Sequence, residues 1–232
     1  MLILLPGLEG TGALFAPLVD ALGDGIECRT HSYPNDTSNA YNALFPLVYT
    51  TLPRDRSYVL LGWSFSGPLA IMTAARRPPG LRGLILCSTF ARSPHPYVPE
   101  LAVRLLGPMA GRVFPFASLW KARLGGYATS DVRRLLEHAL IQTTPDAVSL
   151  RLRAALSVDV RPHLARVEVP VLYLQSSTDF VVPPWCVRAL RTHLRDLRVQ
   201  RIAGPHPSLL TNPAASAACI RPFVRECLNG KS

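Results

Sequence analysis

The sequence predicts an α/β fold in which a mainly parallel β-sheet is covered by helices on both faces. Short, uninterrupted apolar runs such as Leu2–Leu5 and Tyr58–Leu61 are typical of strands buried in a parallel sheet. Segments with apolar residues at helical spacing lie between these runs, and this alternation favours parallel strands joined by helices. Because 48% of the 232 residues are hydrophobic and 17% are charged, the composition excludes a disordered chain and a coiled coil.

Glycine and proline mark the ends of the predicted elements. Pro6-Gly7 ends the first strand, Gly23 stops the first helix, and Pro78-Pro79-Gly80 closes the helix after the third strand. The six predicted strands are Leu2–Leu5, Ile26–Ser32, Tyr58–Leu61, Leu84–Cys87, Val171–Leu174 and Leu197–Ile202. The clearest helices are Phe15–Leu22, Tyr41–Leu52, which is expected to be interrupted or bent near Pro46, Leu69–Arg76, Val187–Leu194 and Ala214–Leu228.

Residues 93–159 interrupt this alternation. They contain several amphipathic helical patterns and few strand-like runs, and they begin in the Pro-rich segment Pro94–Pro99, which suits a stiff linker. We therefore expect residues 1–92 and 160–232 to form one core, with residues 93–159 inserted above the sheet as a helical cap.

The chain is strongly basic, with a formal net charge of +10 that comes almost entirely from arginine. Such a charge favours an anionic partner, namely nucleic acid, anionic lipid or an acidic protein. The alternative interpretation is a GC-rich coding bias towards arginine and proline, with no anionic partner. No basic run with interleaved aromatic residues is present, which argues against a nucleic-acid partner.

Cysteine usage and hydropathy indicate the compartment. The five cysteines form no C-x-x-C pair, and Cys28 and Cys87 lie in apolar, strand-like runs, so we expect reduced cysteines in a cytoplasmic protein. The apolar start lacks the positive segment of a secretory signal. The uncharged stretch Tyr58–Ala75 is interrupted by Gly, Ser and Pro, as in a strand, turn and helix rather than a membrane span. We expect a monomer with no membrane association.

The strongest chemical signal is Gly62-Trp63-Ser64-Phe65-Ser66-Gly67, which lies directly after an apolar strand and before a helix. A serine between small residues in this context is typical of a nucleophile elbow, a sharp turn that exposes the hydroxyl at the end of the sheet. The following helix supplies backbone N–H groups to a developing oxyanion. A chance Gly/Ser turn is the alternative interpretation.

A serine hydroxyl needs a base, and the base needs a carboxylate to orient it. His206 follows the last predicted strand, and Asp179 follows the strand before it, so both fall on the same sheet edge as Ser64. The order Ser, Asp, His is the one this architecture requires. The alternatives are a loop histidine without a role and an aspartate that only forms a turn.

The loop after the first strand, Pro6-Gly7-Leu8-Glu9-Gly10-Thr11-Gly12, is rich in glycine, so its N–H groups can approach a substrate oxygen closely. We assign the oxyanion hole to the backbone N–H groups of Leu8 and Phe65. A dinucleotide-binding loop is disfavoured because the order G-x-G-x-x-G is absent. The histidines are dispersed and no paired metal-ligand spacing occurs, so we expect no metal and no cofactor.

Taken together, these motifs resemble the α/β-hydrolase superfamily over essentially the whole chain. The resemblance rests on Pro6-Gly7-Leu8, the Ser64 elbow, Asp179 and Gly204-Pro205-His206. Two departures stand out: Pro6 replaces the histidine that is frequent in the family, and Ser66 replaces the last glycine of G-x-S-x-G. The resemblance implies a Ser64–His206–Asp179 hydrolase with a helical cap.

Within the superfamily, the chain resembles the pimeloyl-acyl carrier protein methyl ester esterases of biotin synthesis. Gly62-Trp63-Ser64 and the stretch Leu152–Leu164 carry this resemblance. It implies an acyl ester substrate on an acidic acyl carrier protein, gripped by arginines of the cap. The candidate arginines are Arg133, Arg134, Arg151 and Arg153. Arg151 and Arg153 are about 200° apart around a helix axis, so scattered solvated arginines are the alternative.

Two aromatic residues near the elbow have two interpretations each. Trp63, beside the nucleophile, and Phe90, after the fourth strand, either line an acyl pocket or pack in the core. The expected function is carboxyl ester hydrolysis on the carrier-bound methyl ester. The alternatives are a carboxylesterase or thioesterase for small free substrates and a non-catalytic basic binding module.

Overall fold

The computed structural model describes residues 1–36, 38–98 and 124–230. Its strands are β1 Leu2–Leu5, β2 Cys28–Thr30, β3 Tyr58–Trp63, β4 Leu81–Cys87, β5 Val171–Thr178 and β6 Leu197–Pro205. They form a central parallel sheet in the order β2-β1-β3-β4-β5-β6. The parallel sheet is the one that the sequence predicts.

Side chains along a strand point alternately to the two faces of the sheet, so the core is divided into two layers. In β1, Ile3 and Leu5 point into one layer and Leu2 and Leu4 into the other, and all four are fully buried. A strand buried on both faces is a continuous apolar run, which explains why β1 and β3 are so visible in the sequence.

Helices cover both faces of the sheet. In chain order they are α1 Ala16–Leu22, α2 Tyr41–Thr50, α3 Gly67–Ala74, α4 Ser130–Ile141, α5 Pro145–Ser157, α6 Arg161–Leu164, α7 Trp185–His193, α8 Ser208–Thr211 and α9 Pro213–Asn229. Helices α2, α3 and α7 contribute apolar residues to the layer that holds Ile3, and α1 and α9 contribute to the layer that holds Leu2.

Within residues 93–159, the described residues 93–98 form turns and bends, and residues 124–157 are mostly helical. Thr129 caps α4 by accepting a hydrogen bond from the Val132 amide, and Thr144 caps α5 in the same way through Ala147. The two ends of this segment meet, because Arg92 and Asp159 form an antiparallel bridge. Residues 99–123 of the expected cap lie outside the described residues, and the division into core and cap stays a prediction.

Element ends differ from the sequence prediction by a few residues. β2 is shorter than the predicted Ile26–Ser32 because this edge strand pairs with only three residues of β1. α2 runs through Pro46 without the predicted interruption. Within the described ranges, the apolar helices are all too short to cross a membrane.

Candidate active site

Ser64, Asp179 and His206 each lie directly after a strand of the parallel sheet, namely β3, β5 and β6. Because parallel strands end at the same edge, the three side chains meet there. His206 Nε2 is 2.8 Å from Ser64 Oγ, and His206 Nδ1 is 2.8 Å from Asp179 Oδ2. The arrangement is a hydrogen-bonded line of hydroxyl, imidazole and carboxylate, which is suited to removing the serine proton.

Ser64 has a backbone conformation that few non-glycine residues adopt, with φ of 50°. The turn around it is tight: a Cβ at Gly67 would lie 1.9 Å from Thr89 Oγ1. Thr89 in turn donates a hydrogen bond from its hydroxyl to the Ser64 carbonyl. The strained backbone at Ser64 is therefore stabilised by close packing that only glycine at position 67 permits.

Ser66, which replaces the usual glycine, connects the elbow to the loop after β1. Its hydroxyl donates to the Pro6 carbonyl and lies 2.6 Å from the Tyr33 hydroxyl. Tyr41 donates to the carbonyl of Phe65 at 2.8 Å, and its ring stacks on that of Phe65 with the centroids 4.8 Å apart. The sequence places Ser66 in the elbow but does not predict its contacts, and it gives no signal that brings the hydroxyls of Tyr33 and Tyr41 beside the elbow.

The electrostatics around Asp179 favour its carboxylate form. Burial alone would raise the pKa of the Asp179 carboxyl group. The His206 ring and the Val181 and Val182 amides lower it by more, so the pKa lies below its ordinary value. The two amides donate to Oδ1 at 2.9 and 2.8 Å, while Oδ2 faces His206. Asp179 is therefore fixed in orientation and negative at neutral pH, as an orienting carboxylate requires.

The Leu8 and Phe65 amides are the assigned oxyanion donors. Neither amide donates to a protein acceptor within the described residues. The loop that carries Leu8 lies against the elbow, since Ser66 contacts Pro6 and a Cβ on Gly7 would lie 3.6 Å from the Trp63 ring. The oxyanion-hole assignment stays a prediction, and these contacts are consistent with it.

Arg151 was predicted to contact an acidic partner, and that prediction is wrong. Its side chain is fully buried, and its guanidinium donates to the carbonyls of Leu8, Glu9 and Pro34 at 2.7 to 3.0 Å and to Asn39 Oδ1 at 2.7 Å. Four acceptors from two loops take the place of water around the guanidinium group. Arg151 therefore has a structural role and attaches α5 to the loop after β1.

The other three predicted arginines lie on the surface. Arg134 pairs with Asp131 one helical turn away at 2.8 Å, and Arg133 Nε donates to the Ala128 carbonyl at 2.9 Å. Arg153 is exposed. Because Arg134 is already paired, it has less charge available for a partner, and contact of these residues with a carrier protein stays a prediction.

Trp63 and Phe90 are both packed as core residues, with 2% and 3% of their surfaces exposed. The Trp63 ring lies 5.6 Å from that of Phe15, and its Nε1 has no hydrogen-bond partner among the described residues. Packing is thus the interpretation that the described contacts favour, and pocket lining stays a prediction. In the described ranges, no cluster of three or more His, Cys, Asp or Glu residues is arranged to hold a metal.

The chain is similar to known proteins in family, in sequence and in fold. Residues 17–204 match the family described as serine aminopeptidase, S33. A pimeloyl-[acyl-carrier protein] methyl ester esterase of Neisseria meningitidis is 31% identical over 234 residues, covering 95% of this chain and 86% of that protein. The protein of that name from Shewanella is 28% identical and covers 97% and 90%. The enol-lactonase of Burkholderia xenovorans superposes with a TM-score of 0.77 at 22% identity, covering 97% and 91%.

Proposed function

We propose that this chain, which belongs to the serine aminopeptidase S33 family of α/β-hydrolases and is a serine carboxylesterase, hydrolyses the methyl ester of pimeloyl-[acyl-carrier protein]. The observation that carries the proposal is the similarity to esterases of that name over nearly the whole chain. The hydrogen-bonded line of Ser64, His206 and Asp179 supports the chemistry.

The proposed reaction begins at Ser64. His206 Nε2 accepts the proton of Ser64 Oγ as that oxygen attacks the ester carbonyl, and Asp179 stabilises the imidazolium that forms. The Leu8 and Phe65 amides stabilise the oxyanion of the tetrahedral intermediate. His206 then gives its proton to the departing methoxide, which leaves as methanol and leaves an acyl group on Ser64.

Water completes the cycle. His206 removes a proton from a water molecule as it attacks the acyl-enzyme, and it returns that proton to Ser64 Oγ when the acid leaves. The products are methanol and the carrier-bound free carboxylic acid. No step needs a group outside the chain, the substrate and water.

The test uses carrier-bound pimeloyl methyl ester with the wild-type protein, Ser64→Ala and His206→Ala. We expect each variant to stay folded and to lose at least about 10³-fold in kcat/KM, as in other enzymes of this mechanism. Ser157→Ala is the matched control, because Ser157 is exposed at the end of α5.

Mass spectrometry of the carrier protein identifies the bond that is cleaved. Loss of the methyl group alone supports the proposal, whereas release of the free carrier thiol would indicate a thioesterase. Near wild-type turnover in Ser64→Ala would refute the assigned nucleophile. Cleavage of only small free esters by the wild-type protein would refute the carrier-bound substrate.

A further inference from the structure

A cleft of about 630 Å³ opens at the carboxyl end of β5, between α7 and β6. Asp179 lines it, and the same carboxylate faces His206 at 2.8 Å. Three arginines also line it: Arg188 and Arg191 of α7, and Arg201 of β6. We call this feature the β5–α7 cleft. It adjoins the candidate active site through Asp179.

The three arginines of the β5–α7 cleft are exposed and form no ion pair within the described part of the chain. The acidic side chains nearest in sequence and in the sheet are used elsewhere. Arg198 binds Glu226 at 2.6 Å and lies 3.9 Å from Asp196. Asp179 is the one carboxylate among the described residues that line the cleft, so three guanidinium groups face one carboxylate and the cleft carries a net positive charge.

The positions of these arginines concentrate the charge on one surface. Arg188 and Arg191 are three residues apart on α7, so they share one face of that helix. Arg201 lies beside Gln175 in the sheet, and Gln175 also lines the cleft. Segment 185–201 contains five arginines and one acidic residue, Asp196. Several planar guanidinium groups around one concavity are suited to binding carboxylates or phosphate.

Apolar surface adjoins this charge. Phe180 and Val181 directly follow Asp179 and are 61% and 41% exposed, and Phe180 lines the cleft. Exposed large apolar residues beside arginines are typical of protein–protein interfaces, where aromatic residues and arginine are enriched. An extended nucleic-acid track would need a basic groove longer than this compact concavity.

We propose that the β5–α7 cleft is the docking surface for the acidic face of the acyl carrier protein, with Arg188, Arg191 and Arg201 pairing with its carboxylates. This inference rests on the proposed function and names the partner surface of the same site. It differs from the sequence expectation, which placed the carrier on arginines of the cap. Docking here holds the carrier at the edge of the sheet where Ser64, Asp179 and His206 lie.

The experiment compares kcat/KM for carrier-bound pimeloyl methyl ester with kcat/KM for dimethyl pimelate, a small neutral diester. The test variant is Arg188→Glu/Arg191→Glu. The matched control is Arg54→Glu/Arg166→Glu, which changes the net charge equally on exposed residues that precede β3 and β5 at the opposite edge of the sheet. A third variant, Arg133→Glu/Arg153→Glu, tests the alternative surface.

We expect the cleft variant to lose roughly 10- to 100-fold in kcat/KM on the carrier-bound ester, because two favourable charge contacts become repulsive. We expect its kcat/KM on dimethyl pimelate to stay within about twofold of wild type, a result that would show that the fold and the catalytic residues are intact. The control should lose no more than about threefold on the carrier-bound ester, as expected for general long-range steering.

Two results overturn the docking surface and leave the proposed function standing: an equal loss in the cleft and control variants, or the larger loss in Arg133→Glu/Arg153→Glu. If the wild-type protein cleaves dimethyl pimelate but not the carrier-bound ester, the proposed function fails and this inference fails with it. Loss of RNA binding in the cleft variant with unchanged turnover of the carrier-bound ester would assign the arginines to a different partner.

Discussion

Glu9 places a carboxyl group in the interior of the loop that follows β1. Its Oε1 has no hydrogen-bond partner among the described residues, and the residue is 8% exposed. Burial raises the pKa of Glu9 to about 7, although the amides of Glu9, Gly10 and Gly12 and the charge of Arg151 act in the opposite direction. Glu9 is thus a buried acid that changes charge near neutral pH.

This pKa shift predicts how stability depends on pH. The folded state binds the Glu9 proton more tightly than the unfolded state, whose value is near 4.5, so the stabilisation is complete below that pH and is lost as the pH rises through about 7. In Glu9→Gln this loss is absent. We expect the free energy of unfolding of Glu9→Gln, relative to wild type, to increase by about 2–3 kcal/mol between pH 5 and pH 8.

Urea unfolding at several pH values between 5 and 8 measures this difference. Glu168→Gln is the control, because Glu168 forms an exposed ion pair with Arg77, and such pairs contribute little to stability. A constant difference between Glu9→Gln and wild type across this range would show that Glu9 has an ordinary pKa in the folded protein.

At the scale of single residues, the sequence was informative where a residue directly follows a strand. Ser64, Asp179 and His206 could be placed together because the strands before them are recognisable. Arg151 shows the limit: its helical spacing and charge are typical of a surface residue, and only the folded loops supply its four carbonyl and amide acceptors. Contacts between residues more than a hundred positions apart have no local signal.

Helix α3 begins at Gly67, where the packing leaves no room for a side chain. A Cβ at Gly67 would lie 1.9 Å from Thr89 Oγ1 and 2.5 Å from Thr89 Cγ2, and Thr89 holds the Ser64 carbonyl. We expect Gly67→Ala to lose roughly 1–3 kcal/mol of stability from overpacking, despite the better helix propensity of alanine. The rate of ester hydrolysis should fall by more than the loss of stability accounts for, because a displaced Thr89 no longer holds the Ser64 carbonyl in place.

Thermal unfolding and kcat/KM on a small ester measure the two effects. Gly126→Ala is the matched control, since a Cβ there meets nothing within 4 Å, and we expect a change within about 0.5 kcal/mol. Full activity in Gly67→Ala would mean that Thr89 can move without disturbing Ser64.

Element types were more predictable than element ends. The buried strands β1, β3, β4 and β5 are apolar runs with little ambiguity, whereas β6 alternates between buried and exposed residues near its end and extends to Pro205 rather than Ile202. β3 extends through Gly62 and Trp63 because both pair with β4. Hydrogen-bonded partners decide where a strand ends, and the partner strand is distant in sequence.

For the whole molecule, the net charge of +10 acts on a charged partner at long range, before any contact forms. Part of the arginine excess is neutralised by surface ion pairs such as Arg56 with Glu27 and Arg198 with Glu226, and Arg151 is buried. The arginines of the β5–α7 cleft remain in solvent without a pair in the described ranges. The charge is therefore distributed unevenly, and the sheet edge that carries the candidate active site holds one of its unpaired clusters.

This distribution predicts a salt dependence that separates the two kinds of substrate. Screening between surface charges has a range of about 10 Å at 0.1 M salt and about 3 Å at 1 M, so added NaCl should slow encounter with an acidic carrier but not with a neutral diester. We expect kcat/KM on the carrier-bound ester to fall roughly tenfold or more between low and high salt, with dimethyl pimelate within about twofold. In Arg188→Glu/Arg191→Glu the salt dependence on the carrier-bound ester should be weaker, because the attraction that salt screens has been removed. Equal salt dependence for both substrates would mean that salt acts on the catalytic site, and the arginine excess would then have no part in substrate selection.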